Sequence, residues 1–194
     1  MLGDTVQYAG EYKLKSCRLD SSTGVSARLD SNVIEINIYE NIFTNSIEGS
    51  LVVVDQNNMV MNMPIVGQEY VHLNLETPGV GEFDNIFCVY RIASRQDMTV
   101  GSQVYELQLI TPEALRNNRT RINKSYTGLT SEIVEKVLKD EKLINTKKDI
   151  HIDETSLIRK FVVPNQRPND FIINLTKEST SKKYNGSPHY FFYE

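Results

Sequence analysis

The stretch Val33-Ile34-Glu35-Ile36-Asn37-Ile38-Tyr39-Glu40-Asn41-Ile42-Phe43-Thr44-Asn45-Ser46-Ile47-Glu48-Gly49-Ser50-Leu51-Val52-Val53-Val54-Asp55 holds two β-strands in succession and no chemistry. Ile34, Ile36 and Ile38 alternate with Glu35, Asn37 and Glu40, the pattern of a strand with one covered face and one wet face. Asn and Ser residues within Asn41 to Ser46 suit a tight connection. Val52, Val53 and Val54 form a β-branched run, which predicts a central strand covered on both sides. A half-buried sheet of this kind offers a surface for meeting other subunits.

Outward from this stretch the pattern stays β from about Glu11 to Ile110. Lys13 to Leu19 alternates, Asp20-Ser21-Ser22-Thr23-Gly24 supplies turn chemistry, and Val25 to Leu29 returns as a hairpin. Asp55-Gln56-Asn57-Asn58 is set to cap a short helix over Met59 to Met63, stopped by Pro64. Tyr70 to Glu76 alternates again before the Thr77-Pro78-Gly79-Val80-Gly81 turn. Strands over Asn85 to Ser94 and Gln103 to Thr111, separated by Thr99-Val100-Gly101-Ser102, complete about seven strands. Such a series predicts a sandwich or a barrel.

The pattern changes at Pro112. A brief helical turn over Pro112 to Arg116 precedes a polar segment, Asn117 to Tyr126, that reads as a boundary. Thr130 then reads as the cap of a helix with Ile133, Val134, Val137 and Leu138 on one face, Glu132 early and Lys139 late. Short strands are predicted at Ile150-His151-Ile152 and Ile158 to Val163. Arg167-Pro168-Asn169-Asp170 opens a second helix with Phe171, Ile172 and Leu175 on one face. Asn185-Gly186 marks a turn before a final strand, His189 to Tyr193. The division expected is a β domain over residues 1–112 and a small α+β domain over 113–194, truncated at its C-terminal end or belonging to a shortened form.

Of the 194 residues, 40% are hydrophobic and 24% charged with a formal net charge of −4, which argues against a disordered chain and against a dedicated nucleic-acid surface. The basic clusters, Arg116 to Lys124 and Lys182-Lys183, read as solvated segments. No apolar run approaches the ~20 residues of a membrane helix, and Met1-Leu2-Gly3-Asp4-Thr5 has no secretory pattern. Cys17 and Cys88 sit in strand patterns as small buried hydrophobes rather than a disulfide. Asn118, Asn123 and Asn174 match the glycosylation pattern by chance.

Four segments in order carry a resemblance: the opening stretch followed by Ile65-Val66-Gly67-Gln68-Glu69-Tyr70, the amphipathic helix entered through Tyr126-Thr127-Gly128-Leu129-Thr130, the apolar strand after it, and Pro168-Asn169-Asp170-Phe171-Ile172-Ile173-Asn174-Leu175 leading to an aromatic strand. The chain thereby resembles the N-terminal part of baseplate hub proteins of contractile-tailed phages, and is similar to the hub part of type VI secretion spike proteins. The resemblance implies a tube-like antiparallel β-barrel followed by a small α+β domain. It implies identical subunits, a trimer, as neighbours, with a tail tube protein and a central spike protein as further partners. The implied role is a passive channel wall in the virion tail baseplate, assembled in the host cytoplasm, with DNA as passing cargo, no membrane insertion and no cofactor. Position within the opening stretch makes Glu35, Asn37 and Tyr39, with Ile42, Phe43 and Asn45 in the connection, the candidates for subunit contact. Only one tube-like domain is visible where the family carries two.

Enzymatic readings lack convergent residues. His72, His151 and His189 are solitary, with no i, i+4 or cysteine partner of the kind zinc requires. No Gly-x-Ser-x-Gly elbow or phosphate loop occurs. Glu35, Glu40 and Glu48 suggest paired carboxylates for glycoside cleavage, but their alternation with isoleucines reads as a solvent-facing or subunit-facing strand. Tyr190, Phe191, Phe192 and Tyr193 read equally as an interface core or a two-sided buried strand. Met59, Met61 and Met63 read as core gap-fillers. The alternative from another class is a carbohydrate-binding or host-recognition β-domain of a tail protein, which calls for aromatic platforms on exposed loops; the chain has no Trp.

Overall fold

The computed structural model describes residues 11–56, 59, 63, 65–99, 101–188 and 190–194. The chain divides into two compact units. One runs to Tyr39 and resumes over Glu48–Pro112; the other combines Glu40–Ile47 with Glu113–Glu194.

Seven strands build the first unit: β1 (Lys13–Asp20), β2 (Ser26–Arg28), β3 (Val33–Tyr39), β4 (Glu48–Asp55), β5 (Tyr70–Thr77), β6 (Gly81–Thr99) and β7 (Ser102–Ile110). They pair antiparallel in the order β2-β1-β5-β6-β7-β4-β3. The two edges of this sheet, β2 and β3, are consecutive in sequence. In a flat sheet six spacings would hold them roughly 29 Å apart. The link from Arg28 to Val33 reaches at most ~18 Å, so the sheet has to curl, and it forms a half-barrel. Leu29, fully buried in that link, donates its N–H to Cys17 O at 2.8 Å and accepts from Asn32 and Val33.

Bulges give the curl its local means, because an extra residue bends and twists a strand. β1 has one between Leu14 and Ser16 and β3 one between Val33 and Glu35. β6 has three, and Ser94, the extra residue of one, takes a positive φ of 45°. Inside the curl lie Cys17, Leu19, Leu51, Val53, Val71, Leu73, Phe87, Val89, Tyr105 and Leu107, all fully buried.

Before β5 the chain bends at Gly67, with φ +87°. Glu69 there is fully buried, and its carboxylate accepts backbone N–H bonds from Val66 (2.8 Å), Gly67 (2.9 Å) and Gln68 (3.1 Å). Its own carbonyl accepts from Val89 N at 2.9 Å, which ties the loop to β6. A buried charge persists when hydrogen bonds replace its water.

In the second unit, α1 (Pro112–Arg119), β8 (Ile122–Leu129), α2 (Thr130–Lys139), β9 (Ile158–Gln166) and α3 (Pro168–Glu178) surround one core. Ile122, Tyr126, Ile133, Val137, Leu143, Val163, Phe171, Ile172 and Leu175 fill it, with Val134, Leu138, Phe161 and Phe192 against its rim. Tyr126 stacks on Phe171 at 5.5 Å, and Phe161 meets Phe171 edge-on. β8 and β9 pair antiparallel as a two-stranded ribbon.

Several expectations change. β4 is not central but one strand from the edge, and Val52 and Val54 are only half-buried. The segment read as a polar boundary contains the end of α1 and the first part of β8; Asn117 is buried there and accepts a hydrogen bond from Asn169 N at 2.9 Å. Thr130 is the first helical residue, not the cap, and Leu129 precedes it with no side-chain cap bond. Residues 150–152 and 190–194 form no strand, and among the described residues no strand pairs with them. The short helix over Met59 to Met63 falls mostly outside the described residues, as do His189, Met61, Pro64 and Val100; Met59 is helical and Met63 is buried. Cys17 and Cys88 are buried in the sheet, and neither forms a disulfide.

Candidate subunit interface

The free edge β3 owes its exposure to its register. Glu35 lies opposite Val52, Asn37 opposite Ser50 and Tyr39 opposite Glu48, so these three share the outer face of the sheet. Asn37 Nδ2 donates to Glu35 Oε1 at 2.8 Å and reaches Ser50 Oγ at 3.3 Å. Tyr39 is 62% exposed. Ile36 and Ile38 face the core side, opposite Leu51 and Gly49, yet stay half-buried because, among the described residues, no strand lies beyond them. Ile34, expected inside, is the extra residue of the bulge and is 63% exposed. Single-sequence alternation has no signal for a bulge, which shifts the phase of everything before it.

Ile42, Phe43 and Asn45 belong to the second unit, so the six candidates fall into two groups. Asn41 sets the local bend: its Oδ1 accepts from Phe43 N at 2.9 Å and its carbonyl from Thr44 N at 3.0 Å. That turn throws Ile42 and Phe43 outward, 52% and 76% exposed, while Asn45 is half-buried. Phe43 meets the ring of Phe191 edge-on at 6.0 Å. Ile47 N donates to Glu194 Oε2 at 3.3 Å, and Glu194 pairs with Lys148. The aromatic end is neither a buried strand nor wholly solvated: Phe191 and Tyr193 are mostly exposed and Phe192 packs on the core.

Residues that sequence reasoning missed lie on β9. Its inner face carries Phe161 and Val163 toward the helices, whereas Ile158 and Val162, each 75% exposed, share the outer face with Lys160. The signal was present as the unbroken apolar run Phe161-Val162-Val163, which a one-sided ribbon cannot bury entirely.

Titratable groups serve structure. Burial, then the Asp30 carboxylate, pushes the Cys17 thiol up to about 12, so it is no nucleophile at neutral pH. Burial raises the Tyr105 phenol as well. On the outer face of β1 and β5, Asp20 accepts from Arg18 at 2.8 Å, and His72 Nε2 lies 3.0 Å from the same carboxylate. The Ser26 hydroxyl, followed by Arg18, holds the Asp20 carboxyl below its usual range. His151 is almost fully exposed, 3.9 Å from Asp153. Among the described residues no three His, Cys, Asp or Glu side chains cluster in a way that could hold a metal ion, and no helix is long and apolar enough to cross a membrane.

The fold has known counterparts. Residues covering 84% of this chain superpose on the 43 kDa tail protein of prophage MuSo2 from Shewanella oneidensis, with a TM-score of 0.58 and 10% sequence identity. A chain of the lidded Francisella PdpA-VgrG complex matches over the same share, with a TM-score of 0.51 and 13% identity. This chain spans 48% of the first protein and 25% of the second. No protein-family model and no curated protein sequence matches it. The architecture is the fold of that phage tail protein and of a chain in the PdpA-VgrG complex.

Proposed function

We propose that this chain is a structural component of a phage tail or a related injection machine, forming part of a baseplate hub between tail tube and central spike. Its likeness in fold to the MuSo2 tail protein over most of its length carries this reading. The role is mechanical rather than catalytic: copies of the half-barrel stand side by side as channel wall, and DNA passes as cargo. The tail tube, the spike and identical subunits, as a trimer, are its partners, and the virion baseplate is its place, reached by assembly in the host cytoplasm. A division of labour between a β domain over residues 1–112 and an α+β domain over 113–194 belongs to the same reading. Glu35, Asn37, Tyr39, Ile42, Phe43 and Asn45 serve as contact residues.

Sedimentation velocity over a concentration series, with negative-stain microscopy of the same samples, tests the proposal. Concentration-dependent trimers or annular particles are expected. A chain that stays monomeric up to its solubility limit overturns it.

A further inference from the structure

Among the described residues, two of the open strand edges are complementary. β3 offers the free edge of the seven-stranded sheet, with Glu35, Asn37 and Tyr39 on the outer face and Val33, before the bulge, on the inner one opposite Val53. It carries neither lysine nor proline, and its single bulge sits at the N-terminal end. β9 offers the free edge of the ribbon, with Ile158, Lys160 and Val162 exposed on the face turned from its own core. Glu35 and Lys160 have no ion-pair partner among the described residues.

We propose that β3 of one copy pairs antiparallel with β9 of a second copy, in the register that sets Glu35 opposite Lys160. This rests on the assembly reading above and names the surfaces that perform it. The register sets acid opposite base across the new ladder, a pair that stabilises antiparallel sheets. Pro164, which lacks an N–H, falls beyond the start of β3 and leaves the ladder intact. The remaining edges fit less well. β2 is three residues long, and β8 turns Asn123, Ser125 and Thr127 outward while its Lys124 is bound to Asp140 at 2.9 Å. Pairing of β3 with β3 of another copy would supply no cation to Glu35. Because the two edges are different surfaces, the contact is heterologous and repeats from copy to copy, as rings demand and two-fold dimers do not.

The full chain tests this through a charge exchange. Glu35→Lys and Lys160→Glu alone each weaken self-association about tenfold, like charges then standing opposite each other, and the double variant recovers it. Both positions are exposed, and unchanged far-UV circular dichroism and melting confirm that the variants fold. Association of the unaltered chain weakens as salt rises. Self-association that ignores both single variants, a double variant that fails to recover, or a two-fold dimer overturns the pairing while leaving the tail role standing. A chain that never associates overturns both.

Discussion

Gly49 has no room for a side chain. A Cβ there would sit 2.6 Å from the carbonyl oxygen of Asn37 across the β3–β4 pair, and the obstacle is backbone rather than a side chain that can swing aside. Gly49→Ala is therefore expected to cost about 1–3 kcal/mol, the range of overpacked sites, read as a lower denaturant midpoint in urea. Glu69 is the second residue on which a local arrangement turns. Glu69→Gln leaves an amide nitrogen facing backbone N–H groups that now donate to a carboxylate, and a loss of about 2–3 kcal/mol is expected from broken charge-assisted bonds in a buried site. Equal unfolding midpoints for Glu69→Gln and the unaltered chain would refute that account. Neither residue announces its role in the sequence, since a glycine in a strand and a glutamate before one are both ordinary.

Among the elements, the C-terminal end of α2 is held by electrostatics. Asp140 follows the helix, where its negative charge meets the negative end of the dipole. Lys124 from β8 offsets this with a 2.9 Å bond and sits 5.2 Å from the Tyr126 ring, and Lys142 N donates to the same carboxylate at 3.0 Å. The bond from Lys124, then that from Lys142, keeps the Asp140 carboxyl below its usual range. A carboxyl lowered in the folded state contributes stability above its unfolded pKa and loses it as pH falls through the folded value. Asp140→Asn should thus lower stability modestly near neutrality and narrow the gap to the unaltered chain in acid, as measured by urea midpoints across pH. At this scale the sequence was most legible where a period ran unbroken. Ile133 and Val137 in α2, Phe171, Ile172 and Leu175 in α3, and Val71, Leu73 and Leu75 in β5 are buried as their spacing requires. β8 escaped notice because a bulge between Ile122 and Lys124 breaks its phase and its outer face is all polar. The final aromatic run misled in the opposite sense: strand-like composition lacks a strand where no partner edge is offered.

For the whole molecule, the half-barrel follows from connectivity, and no run of residues spells it out. Consecutive strands β2 and β3 lie at opposite margins of a seven-stranded sheet, so a four-residue link dictates the curvature. Alternation predicted how many strands there would be; it could not predict which pair would stay open. The open margin at β3 leads to a further expectation. Ile34→Lys places on the bulge the charge by which edge strands avoid one another, and it should reduce self-association in sedimentation velocity while leaving the circular dichroism spectrum unchanged. Full association of Ile34→Lys would argue that β3 is not where copies meet. The candidate contact residues were legible in part: the outer-face trio Glu35, Asn37 and Tyr39 follows from alternation, whereas the exposed face of β9 depends on which side the helices occupy, a tertiary fact.

The membership of Glu40–Ile47 in the second unit sets a timetable for synthesis. These eight residues leave the ribosome early, yet Ile47 finds Glu194, and Phe43 finds Phe191, only after nearly 150 more residues have been made. Closing so long a loop is slow. Until Phe191 and Glu194 have emerged, Ile42 and Phe43 wait as a sticky tag on the nascent chain, open to chaperones and to other unfinished copies on the same message.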